Sequence, residues 1–197
     1  MGTDKALLQW PPPGPGMPVT GQTFLSAAIE VLSRFNDMVI VVAGKNASNL
    51  LPIVYAGGAF VVENPEPQRG QFSSLQVGLQ EVLNRGRDAA MVTLVDRPPA
   101  NPATLEQLRG QFEKAVREDK WAVVPEYAGK HGHPIIVGRE MIEAFLKAPP
   151  TANARDVEHQ NQEHIEYVPV SDPFITMNVD TPEQYTALVN LPNLQLK

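Results

Sequence analysis

Residues 89–99, AAMVTLVDRPP, carry the clearest sequence signal for the fold class. The first seven residues are a largely apolar run, which predicts a strand covered on both faces at the centre of a parallel sheet. Asp96 closes this strand, and Pro98 and Pro99, which lack a backbone donor, turn the chain off the sheet. Ligands of open α/β sheets bind beyond the carboxyl ends of the strands, so Asp96 is a candidate metal or phosphate-site residue. The alternative is that its carboxylate only caps the next helix.

The composition is that of an ordinary globular protein, since 43% of the 197 residues are hydrophobic and 19% are charged. This length fits one domain, residues 1–197. The net charge of −6, without a dense Lys or Arg cluster, argues against nucleic acid and anionic membranes as partners. The longest apolar runs are strand-sized, far below the ~20 residues that span a bilayer. There is no cysteine and no secretory segment in residues 1–10, so we expect a cytoplasmic protein.

Predicted helices and strands alternate along the chain. The helices are predicted at 22–35, 49–55, from a capping box of Ser73 and Gln76, from Asn101 and Pro102, at 139–147, and from Asn153 to Val157. The other strands are predicted at 38–42, 59–63, 121–124, 135–137, 165–170 and 177–180. This order predicts an α/β fold with a doubly wound, mostly parallel sheet and helices on both faces.

Asp180 ends the predicted strand at 177–180 as Asp96 ends its own strand. Thr181, Pro182 and Gln184 follow as a predicted N-cap, first-turn proline and capping box. Two carboxylates, completed by phosphate oxygens and water, are the donor set that Mg²⁺ prefers. Such an ion would neutralise a triphosphate and orient an in-line displacement at phosphorus. Asp180 alone is also explained as a turn acid near a helix start, and spacing does not show that the two acids meet.

Other candidates have weaker local signals. Residues 69–75, RGQFSSL, join a basic residue, a glycine and two hydroxyls to a helix start, which favours anions, although capping alone explains one serine. His131 and His133 lack a third ligand for zinc, and a loop that holds a phosphate through Gly132 is favoured over a metal site. Arg155 is either a bidentate phosphate clamp or a solvated charge. The sequence has no Walker-type phosphate loop and no nucleophile elbow.

Six segments, in this order, resemble the molybdopterin nucleotidyltransferase family of the NTP transferase superfamily, which has a Rossmann-like fold. The segments are 2–8, 64–75 with Gly78, 94–98, 132–134, 154–156 and 178–183. The resemblance implies a Mg²⁺-dependent enzyme that transfers CMP from CTP to the molybdopterin cofactor and releases pyrophosphate. The elements Gly-Gln-Phe-Ser-Ser-Leu and Gly-His-Pro look more like the cytidylyltransferases than the guanylyltransferases, which favours CTP over GTP.

The same resemblance implies roles for individual residues. Lys5 would contact the triphosphate, and Asp96 and Asp180 would be catalytic residues that hold Mg²⁺. The nucleotide would lie by Gly70, Gln71, Ser73 and Ser74, and the pterin by Gly132, His133, Pro134 and Arg155.

One departure concerns the start of the family pattern. The family begins with a strand and a glycine-rich loop, Leu-Ala-Ala-Gly-x-Ser-x-Arg, directly before the Met and Gly that open this sequence. Without that strand its neighbours would expose unpaired edges, so we expect self-association into a homo-oligomer. Without the loop's backbone donors, catalysis should suffer. Two alternative functions therefore stand beside the first: a catalytically impaired nucleotide-binding protein, and a related nucleotidyltransferase acting on a sugar or alcohol phosphate.

Overall fold

A computed structural model of the protein describes residues 4–14 and 20–190. The strands are β1 (Ile40–Ala43), β2 (Phe60–Glu63), β3 (Ala89–Val92), β4 (Ala122–Tyr127), β5 (Lys130–His131), β6 (Ile135–Gly138) and β7 (Ile165–Pro169). The α-helices are α1 (Phe24–Ser33), α2 (Ala47–Ala56), α3 (Gln71–Asn84), α4 (Pro102–Ala115), α5 (Arg139–Lys147), α6 (Ala154–Gln160) and α7 (Pro182–Ala187). The prediction of an α/β fold is confirmed.

The strands form two separate sheets. β1 and β2 pair in parallel, with Ile40 opposite Phe60. In the second sheet β3 pairs with β6 and β6 with β4, both antiparallel, while β7 lies parallel beside β4 and β5 extends one end of it. The second sheet is therefore mixed, with its parallel pair at β4 and β7.

Helices pack on the first sheet because their apolar faces match it. Thr23 and Ser26 form a capping box that starts α1. Leu25 and Ile29 then face Val39 and other buried residues of β1 and α2. On α3, a Cβ added to Gly78 would lie 2.8 Å from a methyl carbon of Val42, so the absence of a side chain lets this helix approach β1 closely. None of the described helices is long and apolar enough to cross a membrane.

β3 is the main correction to the predicted architecture. The strand ends at Val92 rather than at Asp96, and its residues are half-buried or exposed. Among the strands in residues 4–14 and 20–190, only β6 pairs with it. A sequence run can show that side chains are apolar, but not whether a neighbouring strand is there to cover the second edge. The predicted strand at 177–180 is also absent, since residues 177–180 are extended chain without a ladder partner.

The predicted capping box of Ser73 and Gln76 is likewise wrong. α3 begins at Gln71 with Gly70 as N-cap, three residues before the predicted N-cap, so Ser73 lies inside the first turn. The Gln76 amide instead donates to the carbonyls of Phe145 and Ala148 at the end of α5, at 3.0 and 3.2 Å. The Gln76 side chain thus bonds to the end of another helix and not to the start of its own.

Asp172 fixes the segment that leads to the second predicted acid. Its buried carboxylate accepts hydrogen bonds from the Asn101 N–H at 2.7 Å, the Thr104 hydroxyl at 3.1 Å and the Phe174 N–H at 3.0 Å. One side chain thus ties the start of α4 to the 3₁₀ turn Pro173–Thr176. This contact holds the carboxyl-terminal arm, residues 171–180, against the second sheet.

We expect the Asp172→Ala variant to lose about 3 kcal/mol of unfolding free energy, because three donors would lose their acceptor in a buried site. Urea denaturation measures this loss. Ser171→Ala, at the exposed neighbouring position, is the control and should change stability by less than about 0.5 kcal/mol. A loss below 1 kcal/mol for Asp172→Ala would contradict the anchoring role.

Candidate active site

Lys5 lies in the first described turn of the chain. The 3₁₀ turn Lys5–Leu7 begins at Asp4, whose carboxylate accepts from the Ala6 N–H at 3.1 Å and from the Asn46 amide at 2.6 Å. Ala6 is buried in the cluster formed with α1, β1 and α2. These contacts fix the backbone of the turn and so position the base of the Lys5 side chain.

Asp96 and Asp180, far apart in the sequence, are brought together. The Val179 N–H donates to the carbonyl oxygen of Asp96 at 2.8 Å, so the carboxyl-terminal arm lies on the turn that follows β3. Asp180 comes next. The predicted capping box of Thr181 and Gln184 is present and fixes the start of α7.

The ammonium group of Lys5 lies between the two carboxylates. Its Nζ atom is 2.6 Å from Oδ1 of Asp180 and 3.6 Å from Oδ2 of Asp96. The hydrogen bond to Asp180 is the main reason that the pKa of Lys5 is raised. Burial opposes it, and the negative charge of Asp96 adds to the rise. The Asp180 side chain is 53% exposed, so solvent screens this pair and it adds little to stability. The ion pairs of Lys5 with the two carboxylates therefore contribute little to the stability of the fold, and their role lies in the candidate site.

The same two carboxylates suit a hard divalent cation. They already converge on one positive charge, and Oδ1 of Asp96 is buried without a hydrogen-bond partner among the described residues. Mg²⁺ and Mn²⁺ prefer such oxygen donors. Nowhere in residues 4–14 and 20–190 is a group of three or more His, Asp or Glu side chains placed to hold a metal, so these two carboxylates would need oxygens from a ligand or water to complete the coordination. His131, the other metal candidate, lies 3.5 Å from Glu126.

A cavity of about 1280 Å³ adjoins this pair. Val95 and Arg97, on either side of Asp96 in the chain, line the cavity. Lys5, Asp96 and Asp180 themselves do not line it. The charged group thus lies next to the space in which a ligand would bind.

The start of α3 forms one wall of the cavity. The Asn64 amide donates to the hydroxyls of Ser73 and Ser74 at 2.8 and 3.0 Å, and the Ser73 hydroxyl donates to the Gly70 carbonyl at 2.8 Å. Gly70 has a φ of +88°, which strains any other residue. Of the four predicted nucleotide residues, Gln71 and Ser74 line the cavity, whereas Gly70 and the buried Ser73 shape the wall behind them.

Gly132, His133 and Arg155 line the same cavity. A Cβ on Gly132 would lie 2.3 Å from the Ile175 carbonyl oxygen, so only glycine fits there. The His133 N–H donates to that same carbonyl at 2.9 Å. Pro134, the fourth residue predicted to lie by the pterin, is buried next to His133 and does not line the cavity.

The charged residues on the cavity that were not predicted as site residues include Arg97, Lys130 and Glu158. Arg97 donates to the Ile175 carbonyl at 2.8 Å, and burial lowers the pKa of its guanidinium. Burial raises the pKa of Glu158, against the charge of Arg155. Arg97 could have been predicted as a site residue because it directly follows Asp96 in the sequence. Glu158 carried none, because only the packing of α6 brings it to the cavity.

The α/β fold places two acids and a lysine next to a large cavity whose wall includes a helix start suited to anions. Comparison with protein families gives the class of enzyme, the nucleotidyltransferases. The model of the MobA-like NTP transferase domain matches residues 1–166, and the chain belongs to this family. The resemblance seen in the sequence is therefore confirmed at the level of the family. Comparison with curated proteins gave no match.

Solved structures share the fold over almost the whole chain. Rv0371c from Mycobacterium tuberculosis H37Rv is 25% identical, with a TM-score of 0.73, and the match covers 97% of this chain and 92% of that one. A complex of Rv0371c with manganese has a TM-score of 0.72 at 25% identity, covering 96% and 94%. Molybdopterin-guanine dinucleotide biosynthesis protein A from Archaeoglobus fulgidus, at 16% identity and a TM-score of 0.66 over 95% and 89%, shows the fold alone.

His133 should make stability depend on pH. Burial, and then the charge of Arg97, lower its pKa from 6.5 to about 4. The unfolded chain therefore binds a proton at this site between pH 6.5 and 4 that the folded chain does not bind. The contribution to unfolding free energy is complete above pH 6.5 and falls, by about 3 kcal/mol in total, as the pH drops through this window.

Urea denaturation at several pH values from 7 to 4 tests this expectation. His133→Gln should flatten the profile relative to the parent chain, while His159→Gln, at an exposed position, should leave its slope unchanged. If His133→Gln and the parent chain lose stability equally over this range, His133 is not the group responsible.

Proposed function

We propose that this nucleotidyltransferase transfers CMP from CTP to the molybdopterin cofactor, with Mg²⁺ as its divalent cation and pyrophosphate as the second product. The convergence of Asp96, Asp180 and Lys5 beside the cavity carries the proposal. Membership of the family supports a nucleoside triphosphate as substrate. The manganese complex of Rv0371c supports a divalent cation.

The reaction needs no covalent intermediate with the protein. A phosphate oxygen of the acceptor attacks the α-phosphorus of CTP and forms a new P–O bond. The bond from the α-phosphorus to the oxygen that bridges it to the β-phosphate breaks, and pyrophosphate leaves with that electron pair. Because the attacking phosphate is already an anion, the protein has to position the groups and offset their charge, and requires no general base.

Lys5, Asp96 and Asp180 would share the charge compensation. Asp96 and Asp180 would hold Mg²⁺, which when bound offsets negative charge on the triphosphate. Lys5, whose amino group both carboxylates bind in this structure, would then be free to contact the triphosphate. Lys5 fits the role of a triphosphate contact because the flexible side chain of a lysine lets its ammonium group change partners.

Nucleotide and pterin would contact different walls of the cavity. The N–H groups at the start of a helix attract anions, which favours the α3 wall for the nucleotide. Arg155 carries a guanidinium suited to a phosphate, which favours its wall for the acceptor. The proposed nucleotide residues are Gly70, Gln71, Ser73 and Ser74, and the proposed acceptor residues are Gly132, His133, Pro134 and Arg155.

Two finer points rest on the sequence. Residues 70–75 and 132–134 resemble the cytidylyltransferases, which supports CTP over GTP. The absence of cysteine from all 197 residues supports work in a reducing compartment, and we place the protein in the cytoplasm on that basis.

Pyrophosphate release from CTP or GTP tests the function, with molybdopterin, a sugar phosphate or an alcohol phosphate as acceptor. We expect release with CTP and molybdopterin at least about tenfold faster than with any other pair, since a site built for one base leaves polar groups unpaired with another. Binding of CTP without release of pyrophosphate would contradict the proposal and favour a nucleotide-binding protein. Faster release with a sugar or alcohol phosphate would assign a different acceptor.

In the same assay, Asp96→Asn and Asp180→Asn should each lower kcat by about 100-fold or more, because an amide cannot supply the negative charge that holds the cation. Glu106→Gln makes the same chemical change at an exposed position of α4 and should leave the rate unchanged.

A further inference from the structure

Glu158 lines the cavity but has no role in the reaction proposed above. It lies on α6, one helical turn after Arg155, and both side chains line the cavity of about 1280 Å³. The Glu158 side chain is half-buried, and no donor in residues 4–14 and 20–190 makes a hydrogen bond to its carboxylate. An acceptor that leaves water without finding a donor costs free energy. A ligand that brings donors into the cavity would offset this cost.

The surroundings of Glu158 disfavour its negative charge. Burial raises the pKa of its carboxyl group, and the positive charge of Arg155 opposes that rise. Burial also raises the pKa of the Tyr167 phenol, and the charge of Glu158 adds to it, so these two side chains are neighbours on the cavity wall. A carboxylate kept on a cavity wall at a cost to stability is typical of a binding residue.

A flat aromatic surface belongs to the same part of the cavity. The ring of Tyr167 on β7 stacks on the ring of His131 on β5, with centroids 4.1 Å apart and planes 15° apart. The His131 side chain is 50% exposed, and both rings line the cavity. Such a surface favours flat, conjugated ligands in general. The choice among them then depends on polar groups around the rings, and Glu158 is an acid that acts on one of the two rings.

The chemistry of a carboxylate restricts which flat ligand fits. An ionised carboxylate accepts hydrogen bonds and donates none. Its two oxygens match two neighbouring N–H groups that point the same way, as they match the paired donors of a guanidinium. In a heterocycle this pattern is an amino group next to a ring N–H, as in the 2-amino-4-oxo-pyrimidine ring that pterins and guanine share. Cytosine lacks it, because its amino group lies next to a ring nitrogen that accepts.

We propose that Glu158 selects the acceptor of the reaction by accepting hydrogen bonds from the 2-amino group and the ring N3–H of a pterin, whose flat ring lies against His131 and Tyr167. The identity of the acceptor as a pterin rests on the proposed function. Guanine offers the same donors, but the helix start favoured for nucleotide phosphates belongs to α3, whereas Glu158 shares α6 with the proposed acceptor residue Arg155. Glu158 is then a specificity-determining residue of the acceptor site.

Binding of two matched pteridines to the full chain at pH 7, without nucleotide or metal, tests the proposal. The probes are 6-hydroxymethylpterin and 6-hydroxymethyl-lumazine, in which a carbonyl oxygen replaces the 2-amino group, and titration of their own fluorescence measures their affinity. We expect the parent chain to bind the pterin at least about tenfold more tightly, because the carboxylate would face the carbonyl oxygen of the lumazine. Glu158→Gln should bind the pterin about tenfold more weakly and the lumazine more tightly, since an amide both donates and accepts.

One control variant and one stability measurement exclude a merely structural role. Glu163→Gln makes the same change on a side chain that is 83% exposed and outside the cavity, and it should keep the preference of the parent chain. Urea denaturation at pH 7 should find Glu158→Gln at least as stable as the parent chain, because the variant removes a charge that burial disfavours. A marked loss of stability, an unchanged preference in Glu158→Gln, or stronger binding of GMP than of the pterin in a competition titration would each overturn the proposal.

The same variant separates this inference from the proposed function. In the pyrophosphate assay, Glu158→Gln should raise the KM for molybdopterin about tenfold and leave kcat nearly unchanged, because the lost contact is equally strong in the ground state and the transition state. Pterin binding that depends on Glu158 without any transfer of CMP would contradict the proposed function and support this inference. Transfer of CMP to molybdopterin with the KM unchanged in Glu158→Gln would contradict this inference and leave the proposed function intact.

Discussion

The docking of the carboxyl-terminal arm onto the end of β3 is the contact on which the site depends. The bond from the Val179 N–H to the Asp96 carbonyl and the bond from Arg97 to the Ile175 carbonyl join the same two segments. Asp172 anchors the start of this arm at α4. None of these contacts uses the carboxylate of Asp96 or Asp180, so they fix the relative positions of the two acids without occupying their side chains. The carboxylates are therefore left to bind a positive charge, which in this structure is the ammonium group of Lys5.

The Ile175 carbonyl links this docking to the cavity. It accepts from both the Arg97 guanidinium and the His133 N–H, and it is the atom that excludes a side chain at Gly132. A shift of the arm would therefore move the acids and the Gly-His-Pro wall together. The proposed cation site and the proposed acceptor site are therefore supported by the same segment of the chain.

Local rules predicted the elements whose signals are local. The bounds of α5 agree with the prediction at 139–147, the Asn153 cap is present, and Thr181 and Gln184 form the expected box. The wrong predictions concern features that depend on residues far away in the sequence. The carboxamide of Gln76 caps α5 instead of its own helix, and β3 is a short strand with one unpaired edge because nothing in the described chain covers the other.

The candidate site was predictable only in part for the same reason. Asp96 and Asp180 were predicted from their places at the ends of predicted strands, and Lys5 from the family resemblance, but the meeting of the two acids depends on a backbone hydrogen bond that no local pattern predicts. Ser73 shows the converse: its motif is clear, yet its hydroxyl is used by Asn64 and Gly70 and only Ser74 lines the cavity. The burial of Ser73 and the partners of its hydroxyl depend on the folded structure, so they could not be predicted from residue types.

The central claim is that Asp96 and Asp180 share one divalent cation next to the cavity. Anomalous diffraction near the manganese edge, from crystals of the full chain grown with Mn²⁺ and CTP, tests it directly. We expect a single strong peak between the two carboxylates, within about 2.3 Å of an oxygen from each, as oxygen ligands of such ions require. A peak that lies elsewhere, or that contacts neither carboxylate, would contradict it.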